Sequence, residues 1–482
     1  MQRSKLSEHT TKKGQVLSPM LASLGDVLQS SSWGTERFPE YIWMALIHNF
    51  YGREQGSKKI RDIFFHIIAN YSDISAPTFS DIFITNKPFR ETLTKYIANT
   101  IDKNALAPIT ALIKQEECPA FYKYFFNPKY SLENRLNLLI DIIKNYGDSH
   151  SKNATDIRFF PVAFQAKKRI LVISYDDKIV IDTFNNYYSV PHSSELMRAY
   201  RPTIRSMEMM IEIKDKTFVS LFWRRIASMS ECNLMAIKFP DNEESYTTFI
   251  ADTKEVIPYL NTKYIVDSVI DKKYSVIVGI MTFAFKTLIE TVEHNLSKSI
   301  LGRFSVRTII ECYIMLKYLC VNESAVVDIW GKYQAYGIGK YKLVLLKARE
   351  ITIPENSHVS VGLLDVLVNE EILEEYTEID LRYFDQKGIR EKAIDVGEKE
   401  LYDIYYDYDS SYAHGLWGAI RESSMLYCSN PAHKYHSVPD GNYNQTLINV
   451  LADCFRTFSK ILILINDIYP LPEWYVQKYL KG

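Results

Sequence analysis

The chain has 482 residues, with 57 Lys and Arg against 58 Asp and Glu, so its formal net charge is −1. That balance excludes a whole-surface electrostatic footprint for nucleic acid and leaves room only for a local basic groove. A hydrophobic fraction of 47% over this length suffices for two or three domains without disulfide or metal staples, and only 18 Gly and 17 Pro predict long helices.

Residues 1–20 open with the polar stretch MQRSKLSEHTTKKGQ and are read as a mobile tail rather than a signal peptide. Residues 21–240 are expected to form an N-terminal helical domain. Its first helix is announced by SSSWGTERFPEYIWMALIHNFYG, with Pro39 near the first turn. KKIRDIFFHIIANY and FRETLTKYIANTIDKNALAPITALIKQ repeat the pattern, and SLENRLNLLIDIIKNYG is amphipathic, with Ser131 as N-cap and Gly147 as stop. Apolar helices recur every 35–45 residues, which suggests solenoid-like stacked pairs without a true repeat. RILVISYDDKIVIDTF reads equally as hairpin or helix. In LMRAYRPTIRSMEMM, Arg198, Arg201 and Arg205 lie three or four apart, and Glu208 follows Arg205 by three. This stripe is either a solvated amphipathic face or an anion or phosphate contact.

The polar stretch FPDNEESYTTFIADTKEV, residues 239–256, is the best linker candidate, and 258–475 is expected to be a C-terminal helical bundle. Helices are predicted around 258–298, 300–321, 324–350, 400–414 and 443–467. The longest apolar stretch, Val276–Phe285, is too short to span a bilayer. The fold class is therefore mainly α.

The charge pattern of 303–320 is unusual. RFSVRTIIECYIMLKYLC is apolar on almost every face from Ile309 onward, yet Arg303, Arg307 and Glu311 fall on one stripe at i, i+4 and i+8. Such charges are either a structural ion pair or a site. Later, in DYDSSYAHG, helical geometry places Asp407, Ser411 and His414 on one face, with Tyr405, Tyr408 and Tyr412 beside it. His414 is either a core histidine linking two helices or a tuned acid/base. Six cysteines without a C-x-x-C pair read as free buried thiols of a reducing cytoplasm. Cys428, His433 and His436 could hold zinc with a fourth ligand from elsewhere. Their spacing matches no standard zinc pattern and nearby turns explain their proximity, so neither metal nor cofactor is expected. No P-loop, G-x-G-x-x-G or G-x-S-x-G is present, which disfavours an Asp407/Ser411/His414 nucleophilic triad.

Arg-x-x-x-Glu on one apolar helix, followed by Ser-x-x-His-Gly on a later one, resembles a bacterial helical domain family of unknown function. That family is often found in phage-defence settings and is distantly similar to the HEPN (higher eukaryotes and prokaryotes nucleotide-binding) bundles, many of them ribonuclease toxins. The resemblance covers roughly residues 260–470. It implies a site at Arg307, Glu311 and His414, with Ser411 and Arg303 as weaker members. His414 departs from the HEPN nuclease signature, an Arg and a His separated by four to six residues in one helix. That spacing occurs at Arg61 and His66 instead, where it is read as coincidence. The resemblance implies a cytoplasmic, abortive-infection-type antiviral effector. If it is an enzyme, its chemistry is ribonuclease-like or directed at a nucleotide, with RNA or another defence protein as candidate partner and a homodimer left open as the assembly; the short apolar stretch argues against membrane association. The rival expectation is a non-enzymatic binding or regulatory module.

Overall fold

The computed structural model describes residues 5–12, 14–17, 31–84, 89–173, 176–213, 215–240, 246–370, 373–380 and 383–481. About 67% of the chain is helical, so the fold is mainly α. It divides into two compact units. The first holds Met1–Leu234 and Tyr427–His436, and the second holds Met235–Leu426 and Ser437–Gly482. The sequence did not announce that a ten-residue segment from near the C-terminus folds with the first unit.

Within the expected tail, Thr10–Lys12 (β1) and Gln15–Leu17 (β2) pair antiparallel, Thr10 opposite Leu17. Residues 18–20 lie outside the described residues. The centre of the first unit is α1, Phe38–Tyr51, in which every residue from Phe38 to His48 is buried. A helix apolar on all sides must be surrounded. α1 is packed by α2 (Arg53–Asn70), α5 (Leu132–Tyr146), α6 (Lys152–Lys167) and α9 (Thr217–Ser228). Between α2 and α5 come α3 (Phe89–Thr100) and α4 (Pro119–Phe125). Before α1, a π-helical turn at Trp33–Arg37 is capped by Ser32. Trp33 stacks on Tyr41 and donates its indole N–H to the Tyr146 carbonyl at 2.8 Å. The turn lies so close to the end of α5 that a Cβ on Gly34 would meet the Gly147 carbonyl oxygen at 2.7 Å. Ser131 caps α5 through the Asn134 N–H, and Gly147 follows its end.

The ambiguous segment 169–184 resolves in its second half as a helix, α7 (Lys178–Asn186). α8 (Met197–Met209) begins before Pro202, so the proline sits inside the helix and Arg198, Arg201 and Arg205 all belong to it. α6, α7 and α8 share a small aromatic core of Phe159, Tyr187, Met197, Tyr200 and Ile204. β3 (Leu234–Met235) follows α9.

In the second unit the expected linker is shorter than its composition suggests, because α10 (Thr247–Lys263) already occupies 247–256. The long helix expected around 258–298 is broken into α10, α11 (Ile265–Ile270) and α12 (Lys272–Glu293). Asp271 ends α11 and caps α12 by accepting the Lys273 N–H. By length and composition α12 is apolar enough to cross a membrane, a correction to the short stretch read from sequence. Half of its most apolar stretch is nevertheless buried, and α12 packs against α13 (Ile300–Asn322) and α19 (Leu451–Ile468). After α14 (Ile329–Arg349), α15 (Val361–Val368) and α16 (Ile389–Asp395), a π-helical turn, Leu401–Tyr406, runs into α17 (Asp407–Ala413). α18 (Trp417–Ser424), β4 (Met425–Cys428), β5 (Ser437–Pro439), α19 (Leu451–Ile468) and α20 (Glu473–Tyr479) complete the chain. α13 is the hub of this unit's core: α12, α16, α17 and α19 all pack on it.

Candidate functional site

The charged stripe of α13 does meet the helix that leads to His414. Arg307 donates from Nε to Ser410 Oγ at 3.1 Å and from Nη2 to the Tyr406 hydroxyl at 2.7 Å. Tyr406 in turn donates to Glu311 Oε2 at 3.0 Å, and Arg307 lies 3.5 Å from Glu311. One helical turn earlier, Arg303 is buried 3.7 Å from Asp409, between the rings of Tyr408 and Tyr412. Burial pushes the Asp409 carboxyl up to about 7, against the pull of Arg303.

His414 does not join this network. It is exposed at the C-cap of α17, next to Gly415 at φ 58°, and its ring bonds to none of the described residues. It is therefore not a core histidine. Ser411 and His414 do not reach α13; the residues that do are Tyr406, Tyr408, Asp409, Ser410 and Tyr412. The Ser411 hydroxyl donates to the Tyr408 carbonyl. Arg307 and Glu311 are linked through Tyr406, which ties α13 to the α17 segment, and Glu311 also lines a cavity of about 480 Å³ with Thr308, Cys312, Tyr333 and Gln334. At the other Arg-His spacing, Arg61 is exposed, while His66 stacks on Tyr96 at 3.5 Å and bonds Asn70.

A denser arrangement of titratable groups lies in the first unit. Asp156, fully buried in α6, is its hub. Its Oδ1 accepts from the Tyr187 hydroxyl at 2.7 Å and from Arg53 Nε at 3.4 Å. Its Oδ2 accepts from His192 Nε2 at 3.0 Å, with His48 Nε2 at 3.6 Å. Burial alone would raise the Asp156 carboxyl. The hydrogen bond and charge of His192, with Arg53 and His48, outweigh that and hold it below the usual carboxylate range. His48 is pushed down by burial, so its neutral form is favoured, and its Nδ1 bonds the Tyr146 hydroxyl at 3.0 Å.

His192 stands on the loop between α7 and α8 and opens on a cleft of about 570 Å³. The cleft is lined by His150, Ser151, Lys152 and Asn153 at the N-terminus of α6, together with His192, Ser193 and Arg201. In its neutral form, with Nε2–H given to Asp156, His192 carries a lone pair at Nδ1, whereas the charged form donates from both nitrogens. There Arg201 Nη2 approaches at 3.4 Å while donating to the His192 carbonyl at 2.9 Å. Arg205 Nη1 donates to His150 Nδ1 at 2.9 Å. Neither arginine has a carboxylate partner among the described residues. The Arg205 guanidinium is pushed below its ordinary value by burial first and by Arg201 second. Two guanidiniums bonded to imidazoles beside a helix N-terminus, with the Asp148 carboxylate acting on Arg205 and Asp156 on His192, give a cleft with fixed positive charge suited to an anion.

Behind this cleft Glu208 is fully buried and pairs with Arg37 at 2.6 Å and Arg158 at 3.5 Å, not with Arg205 as the spacing predicts. Arg37 also donates to the Glu208 and Ile211 carbonyls, and Arg158 lies 4.4 Å over the Trp33 ring. Burial lowers the Arg158 pKa to about 10. Arg198 is exposed, 3.9 Å from Glu195. Of the arginine stripe, Arg201 lines the cleft, Arg205 borders it through its bond to His150, and Arg198 does neither.

A protein family described as a family of unknown function (DUF5677) matches residues 277–431. That part of the chain, from within α12 through α18, is thus similar to a helical domain of unknown function, in the region where the α13 and α17 motifs lie. No curated protein and no solved structure matches the chain.

Proposed function

We propose that the protein binds a phosphate-bearing ligand, RNA or a nucleotide, in the cleft of the first unit, and that His192 moves a proton there. The observation that carries this reading is the pair of arginines at the cleft, Arg201 and Arg205, whose guanidiniums meet imidazoles instead of carboxylates. Phosphate oxygens would take up the free N–H groups of Arg201, Arg205 and the start of α6, and Lys152 adds charge at the rim. Asp156 fixes the ring of His192, and once Arg201 turns from Nδ1 onto a phosphate oxygen, Nδ1 of the neutral ring accepts a proton from a nucleophile such as a ribose hydroxyl or water and returns it to the leaving oxygen. Arg201 supplies fixed positive charge where the phosphate becomes more negative.

This moves the chemistry from the C-terminal bundle, where the resemblance to defence-associated, distantly HEPN-like domains implies Arg307, Glu311 and His414, to the N-terminal unit. The second unit then serves as brace or as sensor of a trigger. The biological setting we propose is cytoplasmic antiviral defence. The test is expression of wild type beside His192→Ala and His414→Ala, following growth and RNA integrity with and without phage. Loss of activity in His192→Ala with His414→Ala intact supports the reading. Activity lost only in His414→Ala returns the site to the bundle, and a fully active His192→Ala leaves the rival binding module.

A further inference from the structure

The segment Tyr427–His436 folds with the first unit, and it brings three soft metal-ligating side chains to a fourth from 196 residues earlier in the chain. Cys232, just past the end of α9, places its Sγ 3.2 Å from His433 Nδ1 and 3.3 Å from His436 Nε2. Cys428 Sγ lies 3.7 Å from the same His433 nitrogen. One ligand atom from each of the four residues lies within 4.8 Å of all the others. In a tetrahedral zinc site, bond lengths of about 2.3 Å to sulfur and about 2.0 Å to nitrogen separate S from N by about 3.5 Å and S from S by about 3.8 Å. The observed separations straddle those values. A nitrogen–nitrogen pair would stand about 3.3 Å apart, so the widest gap needs to close by no more than about 1.5 Å.

We propose that Cys232, Cys428, His433 and His436 bind a structural zinc ion. The geometry around His433 supports this. Its Nε2 faces the Ser230 carbonyl at 3.2 Å and the Ser230 hydroxyl at 3.1 Å. Donation from Nε2–H to that carbonyl leaves the Nδ1 lone pair turned to both sulfurs, the outer hydrogen bond that metal-bound histidines make. The backbone holds the other ligands. Asn430 caps the turn Pro431–His433 and ties it to the Glu231 carbonyl at 2.8 Å, Ser429 N–H donates to the Asn233 carbonyl, and Cys428 N–H donates to the His436 carbonyl. Lys434 and Tyr435 both adopt positive φ, 55° and 53°, a strained conformation for non-glycine residues that turns His436 back toward His433. Ala432 is buried in the unit's main core, so the turn is anchored on one side by packing and on the other by the ligands.

Two thiolates neutralise a divalent cation, and four protein ligands leave no open position, so the site is structural rather than catalytic. The ion would close a covalent-like link between residue 232 and the 428–436 turn and hold that returning segment on the first unit.

The test uses the full chain expressed with zinc in the medium. Elemental analysis of the purified protein is expected to give about one zinc per chain, and exchange for cobalt(II) the intense visible bands of a tetrahedral ion with sulfur-to-cobalt charge transfer. Cys232→Ser, at an exposed position whose replacement leaves the core intact, is expected to weaken metal affinity by more than the roughly tenfold to hundredfold that loss of an outer partner causes. Cys428→Ser with His436→Ala is expected to abolish the charge-transfer band. Wild-type protein without zinc, a cobalt spectrum without sulfur charge transfer, recovery of Cys232 and Cys428 as a disulfide, or unchanged affinity in Cys232→Ser would each overturn the proposal.

Discussion

Replacing Asp409 by Asn tests whether the α13 stripe is a strained buried pair. Arg303 and Asp409 are 6% and 2% exposed, 3.7 Å apart, and Arg303 Nε and Nη2 and Asp409 Oδ1 lack hydrogen-bond partners. Burial raises the Asp409 carboxyl from 3.8 to about 7, helped by Glu422 and opposed by Arg303. A carboxyl raised in the folded state contributes stability that is fully present below its unfolded pKa and is lost as pH rises through the folded one. The window is therefore about pH 4 to 7, and three units correspond to on the order of 4 kcal/mol, of which roughly 3 falls above about pH 5. Asn keeps the size and polarity but cannot ionise. Losing the carboxylate leaves Arg303 unpaired at every pH, so the pH slope is the readout and not the absolute difference. Urea unfolding of both proteins at about pH 5 and about pH 8 should show the mutant gaining on wild type by roughly 2–3 kcal/mol at the higher pH. A difference that is flat with pH, or that favours wild type at high pH, refutes the reasoning.

Three further outcomes follow from the same structure. Glu208→Gln removes the charge that Arg37 and Arg158 share in the first unit and should destabilise it by about 3–5 kcal/mol in denaturant unfolding. Tyr406→Phe deletes the hydroxyl that bridges Arg307 and Glu311, and should lower stability by about 1–2 kcal/mol without changing RNA cleavage or ligand binding. Asp156→Asn frees His192 from its carboxylate, so the proton-transfer step should fall by about 10²-fold or more while ligand affinity, measured separately, changes little.

Much of the fold was legible because helical periodicity is local. The apolar run of α1, the cap at Ser131 and the sustained pattern of α13 each need only neighbours within a few turns. The stripe of Arg303, Arg307 and Glu311 was legible for the same reason, as was the arginine stripe of α8. Their partners were not. Ser410, not Ser411 or His414, faces α13: spacing shows which residues share a face of the 407–413 helix, but which face turns inward is decided by packing against α13. Asp156 sits in an ordinary-looking helix, and its meaning comes from His48, Arg53, Tyr187 and His192, up to 108 residues away. Cys232 and the 428–436 turn are separated further still, so the three ligands visible in sequence lacked their fourth. The breaks at Tyr264 and Asp271, and the helical start at Thr247, were hidden by polar composition that reads equally as linker or solvated helix.

The most direct test of the central claim is a binding titration of the purified chain with a short single-stranded RNA and, separately, with ATP, comparing wild type with Arg201→Ala/Arg205→Ala. Both arginines line or border the cleft and neither anchors a carboxylate of the core, so the variant should keep the wild-type melting temperature. The account predicts saturable binding of at least one of the two ligands to wild type, weakened at least about 100-fold in the double variant, since each lost charge-assisted contact is worth about 1.5–3 kcal/mol. Equal affinity of the two proteins for both ligands, or no binding by wild type to either, would contradict it.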